Sequence, residues 1–183
     1  MAAAAPNRPT PGAVALDPAS TAVVVLDLSE RFCDPAMPSS PLLQPIGAFL
    51  ERARDVSVPV IFTVVVWDKG TPGGAVAAAL APRAEEPVIA PDGYDKFVDG
   101  DLLSLLQGWG TKTLIFVGGS ANFALLYTAT TAARTHGYDV VVPVDGVYAN
   151  SDYELEYALH QFTVLPRISD RFRFATLASI AFG

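Results

Sequence analysis

Asp27 closes the run Ala22 to Asp27 (AVVVLD), an aspartate set at the end of an otherwise apolar segment. Poor hydration there disfavours the charged carboxylate, which suits a group that exchanges protons with a substrate. An aspartate in that place also caps turns, and the two readings stand side by side. The lysines are Lys69, Lys96 and Lys112. Lys112 precedes a strand-like run, away from the edge where ligands are expected, and Lys69 sits in a glycine-rich loop. Lys96, in the loop-rich stretch ahead of Asp101, is the one best placed to hold or polarise an oxygen, although a loop lysine is most often simply solvated. The segment Val117 to Ala124 (VGGSANFA) passes from an apolar run to a helix through paired glycines. Backbone amides at that helix start suit an anionic group or a developing oxyanion, unless the glycines serve only the turn. Phe32 and Trp67 follow strand-like runs and either wall a pocket or belong to the core. Cys33 has Glu30 and Arg31 beside it, a mixed setting that gives no reason for an activated thiol. His136 reads as a helix-end residue and His160 as part of a helix.

These residues need a scaffold that gathers them. Four β-branched runs stand out: Ala22 to Asp27, Val58 to Trp67, Thr113 to Val117 and Asp139 to Val144. They are continuous rather than alternating, as strands covered on both faces are. Helix-length segments separate them: Pro41 to Val56, Asp101 to Gly108, Asn122 to Gly137 and Ser151 to Leu165. Alternation of strand and helix predicts a three-layer α/β/α domain with a mostly parallel, Rossmann-like sheet over residues 19–183. Residues 1–18, rich in Ala and Pro, read as a flexible N-terminal arm. Ligands of such sheets bind outside the carboxyl ends of the strands. That edge collects Asp27 with Ser29 to Phe32, Trp67 with Asp68, the Gly118 to Asn122 turn, and Asp145.

The chain has 183 residues, 51% of them hydrophobic and 17% charged, enough for one well-filled core. Twelve Lys and Arg against nineteen Asp and Glu leave a net charge of −7, which disfavours nucleic acid and anionic membranes as partners. A small-molecule substrate is the expected partner. One cysteine excludes an internal disulfide, and with two histidines it makes no structural zinc site. No Walker loop, G-x-G-x-x-G fingerprint or H-E-x-x-H is present, so neither a cofactor nor a metal is expected. Without an export signal or a membrane-length apolar run, a cytoplasmic location is expected.

With these elements placed, the chain resembles the isochorismatase-like, or cysteine hydrolase, superfamily from about Thr21 to Ile180. The resemblance rests on AVVVLDLSERF (22–32), KFVDGDLLSLL (96–106) and VGGSANFALLYTATTAARTHGYDVVVPVDG (117–146). The first is similar to the family's apolar strand ending in Asp, the second to its F-x-x-T-x-L helix start, and the third to G-x-x-T-D/N-x-C-V-x-x-T-A followed by G-Y-x-V-x-V-x-x-D. The resemblance implies a catalytic Asp, Lys and Cys. Asp27 falls on the aspartate, but Ala124 occupies the cysteine position, which closes the thioester route. The family's lysine falls on Pro91 or Asp92, whereas Lys96 directly precedes Phe97. The Asp-x-His and His ligands of nicotinamidases are missing, so the resemblance implies no metal. It also implies a cis peptide at Gly119-Ser120, amides of Ser120 and Ala124 facing the ligand, Asn122 and Phe123 at the pocket edge, and a homodimer or homotetramer. A subgroup with A-N-G-A-V-L-Y-T-A and V-I-V-P-V-D-G is closer still, in which case Ala124 is native.

The implied activity is a thiol-independent hydrolase or related acid-base enzyme acting on a small carbonyl- or carboxylate-bearing metabolite, with Asp27 moving protons and Lys96 holding an oxygen. Isochorismatases supply the precedent: their aspartate protonates a vinyl ether and water captures the oxocarbenium ion. Two alternatives stand beside it. One is an amidohydrolase whose nucleophilic cysteine is replaced by Ala124; the other is a non-catalytic protein that binds a metabolite.

Overall fold

The computed structural model describes residues 8–183. Its strands are β1 (Val14–Leu16), β2 (Thr21–Leu26), β3 (Val60–Thr63), β4 (Val88–Ile89), β5 (Thr113–Gly119), β6 (Asp139–Pro143), β7 (Val147–Tyr148), β8 (Phe172–Ala175) and β9 (Ile180–Phe182). The α-helices are α1 (Leu43–Asp55), α2 (Leu102–Gly108), α3 (Leu126–Arg134) and α4 (Asp152–Val164). The main sheet runs β4-β3-β2-β5-β6-β8 with every pair parallel, and β7 adds to the carboxyl end of β5. The expected α/β architecture is therefore the observed one.

Continuous apolar strands form here because both faces are covered. Val23, Val25, Ile115 and Val117 face one core, closed by Ile46, Phe49, Leu50 and Ala53 of α1. Val24, Leu26 and Phe116, alternating with them, face a second core closed by α2, α3 and α4 through residues such as Leu106, Ala129 and Phe162. Helix α1 begins two residues before Pro45, which stands in the first turn, where its missing N–H had no intrahelical partner to lose. Ser151 caps α4 by accepting the Glu154 N–H at 3.3 Å.

Three expectations need correction. The arm over 1–18 is not loose throughout. Residues 1–7 lie outside the described residues, but Val14–Leu16 pairs with Ile180–Phe182 and buries Val14 and Leu16 against the α1 core. Three residues surrounded by Ala and Pro are too short to show a period, and their partner strand is at the far end of the chain. The helix expected from Asn122 is split: Ala121–Leu125 forms a π-helical turn, and the α-helix starts at Leu126. Asn122 is therefore not its cap. Finally, the run expected to extend from Val58 to Trp67 pairs only over Val60–Thr63 and ends in a 3-10 turn at Val66–Asp68.

Strand order explains where a site can lie. The chain enters the sheet centre at β2, moves outward through β3 and β4, then crosses over to β5 and continues the other way. Between β2 and β5 the connections leave on opposite faces, opening a crevice at the carboxyl ends. Leu26 is in register with Gly118, so Asp27 and the Gly119-Ser120 turn emerge side by side.

Candidate active site

Asp27 directly follows β2, with φ of 50°, in the left-handed region that few non-glycine residues occupy. Such a conformation costs on the order of 1–3 kcal/mol and persists only where its surroundings impose it. Those surroundings come from β3. The Asp27 N–H donates to the Thr63 carbonyl at 3.2 Å, and the Thr63 hydroxyl donates to Asp27 Oδ1 at 2.7 Å. The other carboxylate oxygen, Oδ2, lies 2.8 Å from Lys96 Nζ. Both charged side chains are nearly excluded from solvent.

The loop that carries Lys96 is fixed from below by α3. The Lys96 N–H donates to Thr128 Oγ1 at 3.0 Å, and the Thr128 hydroxyl reaches the Tyr94 carbonyl at 3.2 Å. Lys96 Nζ also donates to the Gly93 carbonyl at 3.3 Å. Lys96 thus supplies the ammonium at this site, while Pro91 and Asp92, the positions on which the resemblance set the lysine, form part of the cavity wall.

The ion pair borders a cavity of about 500 Å³ at the sheet edge. Phe32 and Trp67 line it, as do Gly119, Ser120, Phe123 and Ala124 from the β5 turn. Asn122, expected at the edge, is not among the lining residues; its Oδ1 accepts the Ser120 hydroxyl at 2.6 Å and so orients that serine. The peptide between Gly119 and Ser120 is cis. Ala124 is buried in the π-helical turn and offers only a methyl group to the cavity.

Sequence reasoning missed several participants. Thr63 is a polar residue ending an apolar strand, a signal of the same kind that drew attention to Asp27. Tyr148, Met37, Tyr94 and Asn150 also line the cavity, yet they come from short strands and loops without a periodic pattern. Burial, with the negative charge of Asp27 nearby, pushes the Tyr148 phenol above its ordinary range, so it stays protonated. Tyr148 packs closely on β5: a Cβ on Gly119 would lie 2.7 Å from its carbonyl oxygen.

The other candidates serve the scaffold. Asp68 accepts both contacts from Arg31 Nη1, at 2.8 and 3.0 Å, and Asp145 Oδ1 accepts the Leu177 N–H at 2.8 Å. His136 packs against the ring of Phe97, with centroids 4.7 Å apart, and His160 lies in α4. Burial and the neighbouring Glu30 push the Cys33 thiol up to about 11, and Cys33 does not line the cavity. Among the described residues no three His, Cys, Asp or Glu side chains gather as metal ligands, and no helix is long and apolar enough to cross a membrane.

Comparison with known proteins agrees with this architecture. Residues 21–176 match the Isochorismatase domain. The secreted isochorismatase effector Isc1 of Verticillium dahliae is 28% identical over 109 residues, which cover 56% of this chain and 57% of that protein. The chain thus spans little more than half the length of that relative. Ureidoacrylate amidohydrolase RutB of Methylobacterium radiotolerans is 23% identical over 182 residues, 75% of this chain and 70% of its own. A cysteine hydrolase from Pseudomonas syringae pv. phaseolicola superposes with a TM-score of 0.76 at 22% identity, covering 89% of this chain and 91% of the other.

Proposed function

The chain belongs to the Isochorismatase domain family, whose members are hydrolases, and on that premise we propose that it hydrolyses a small carbonyl-bearing molecule without a cysteine nucleophile. The observation that carries this reading is the buried Asp27–Lys96 pair, 2.8 Å apart, facing a cavity where residue 124 is alanine. With no thiol at that position, water is the nucleophile. Asp27 takes a proton from the water as its oxygen bonds to the carbonyl carbon. It returns that proton to the leaving group as the bond to it breaks, so the carboxylate is regenerated. Lys96 holds Asp27 in place and offers its ammonium to the substrate oxygen, while the amides of Ser120 and Ala124 face the charge that develops there. The Thr63 hydroxyl and the Lys96 ammonium each contact one Asp27 oxygen, which fixes the orientation of the carboxylate at the cavity wall.

The test is incubation of wild-type protein and Asp27→Asn with a metabolite library, followed by mass spectrometry. Wild type is expected to convert at least one compound, and Asp27→Asn to lose 10²-fold or more of that rate while keeping native circular dichroism. Undiminished turnover in the variant would defeat the mechanism. Ligand retention with no product from wild type would leave a binding protein instead.

A further inference from the structure

The charges around the cavity are unequal. Lys96 is the cation among the described lining residues, and its ammonium already faces Asp27 at 2.8 Å. The remaining carboxylate in the lining is Asp92, at the exposed mouth, with no salt-bridge partner among the described residues. The cavity therefore carries an uncompensated negative charge at its opening, on a chain whose net charge is −7. The same lining holds three exposed aromatic side chains, Trp67, Tyr94 and Phe123, with the rings of Tyr94 and Phe123 stacked at 5.1 Å. Exposed aromatic faces lose area to water when a flat ring covers them, and their quadrupoles attract positive charge and repel negative charge. Ser120 and Asn150, also in the lining, are polar but uncharged.

Taking only the location of the site from the hydrolase reading, we infer that the cavity selects a planar molecule that is uncharged or cationic and disfavours carboxylates and phosphates, with Asp92 setting that preference. This narrows the substrate class to the carbonyl-bearing half of the sequence expectation. It also assigns a specificity role to a residue that takes no part in the proton transfer.

The experiment titrates full-length protein with three probes that share one ring and differ in head-group charge: benzamidinium, benzamide and benzoate. Binding is read by ligand-observed NMR. Wild type is expected to bind benzamidinium at least about tenfold more tightly than benzoate, with benzamide between them; tenfold corresponds to about 1.4 kcal/mol. Asp92→Asn, an exposed substitution that leaves the core untouched, should bring the ratio to within about threefold, and Asp92→Lys should reverse it. Asp55→Asn, an exposed carboxylate at the end of α1, controls for net charge and should leave the ratio unchanged. The inference is overturned if wild type binds benzoate as tightly as benzamidinium, if Asp92→Asn keeps the wild-type ratio, or if no probe saturates at millimolar concentration. The readout is binding, so loss of turnover in Asp27→Asn bears on the hydrolase reading alone, and the charge ratio bears on this one alone.

Discussion

Asp27 and Lys96 form a unit in which neither side chain is well served without the other. Removing one charge from a buried pair strands its partner, at a cost of about 3–5 kcal/mol. Asp27→Asn should therefore unfold at a lower denaturant concentration than wild type, because the buried Lys96 ammonium is left without a counter-charge. Adding Lys96→Met should recover much of that loss while turnover stays absent, a separation of stability from activity that chemical denaturation beside the assay will measure. Cys33 gives the opposite lesson. Its thiol, pushed up to about 11 by burial and by Glu30, is the sole free thiol but not an activated one. Iodoacetamide should modify the native protein at pH 8 at least about tenfold more slowly than the unfolded chain. The folded state binds that proton more tightly than the unfolded state, whose value is near 9.0. Its contribution to stability is thus complete below pH 9 and is lost as pH rises through about 11. Asp27 was legible in the sequence because an acid after five apolar residues is anomalous. Lys96 was legible only as a lysine in a loop, since what aims it, Thr128 on a helix more than thirty residues later, has no local signature.

Elements that bury a continuous face were readable; elements that exist through distant pairing were not. The runs at Ala22, Thr113 and Asp139 each became a central strand, and the segments at Pro41, Asp101 and Ser151 became helices with ends displaced by at most two residues. β4 and β7 have two residues each, too few for any period, and each forms because a longer neighbour supplies the hydrogen bonds. The π-helical turn at Ala121–Leu125 was invisible because one additional residue in a turn does not disturb the apolar spacing noticeably. Gly118 is where element and site meet: its φ is +93°, and a Cβ there would stand 2.3 Å from the Leu26 carbonyl oxygen. Gly118→Ala should cost at least about 2 kcal/mol by thermal or denaturant unfolding, through both the strained φ and the forced retreat of β2. Because Leu26 adjoins Asp27, turnover should fall along with stability.

At the scale of the whole molecule, the two chain ends are joined. β1 and β9 pair 166 positions apart, Val14 with Ile180, and cover the α1 side of the sheet, and none of their residues lines the cavity. Leu16→Asp places a carboxylate in that seam and should destabilise the protein by about 2–4 kcal/mol, measured as a lower unfolding midpoint, without altering probe binding at native temperature. The central strands β2, β3, β5 and β6 and the helices that cover them follow from runs visible in the sequence, whereas the outer strands and the strand order do not. The site's chemistry is carried by what closes the crevice between β2 and β5: an aspartate, a lysine, a turn and an alanine. The central claim is that Asp27 drives attack by water with no thiol involved. Its most direct test is turnover in heavy-oxygen water, with products analysed by mass spectrometry for wild type and Asp27→Asn. The account predicts one solvent oxygen in the product from wild type, untouched by prior thiol alkylation, and no product from the variant. Labelled product formed equally by Asp27→Asn, or turnover abolished by alkylation of Cys33, would contradict it.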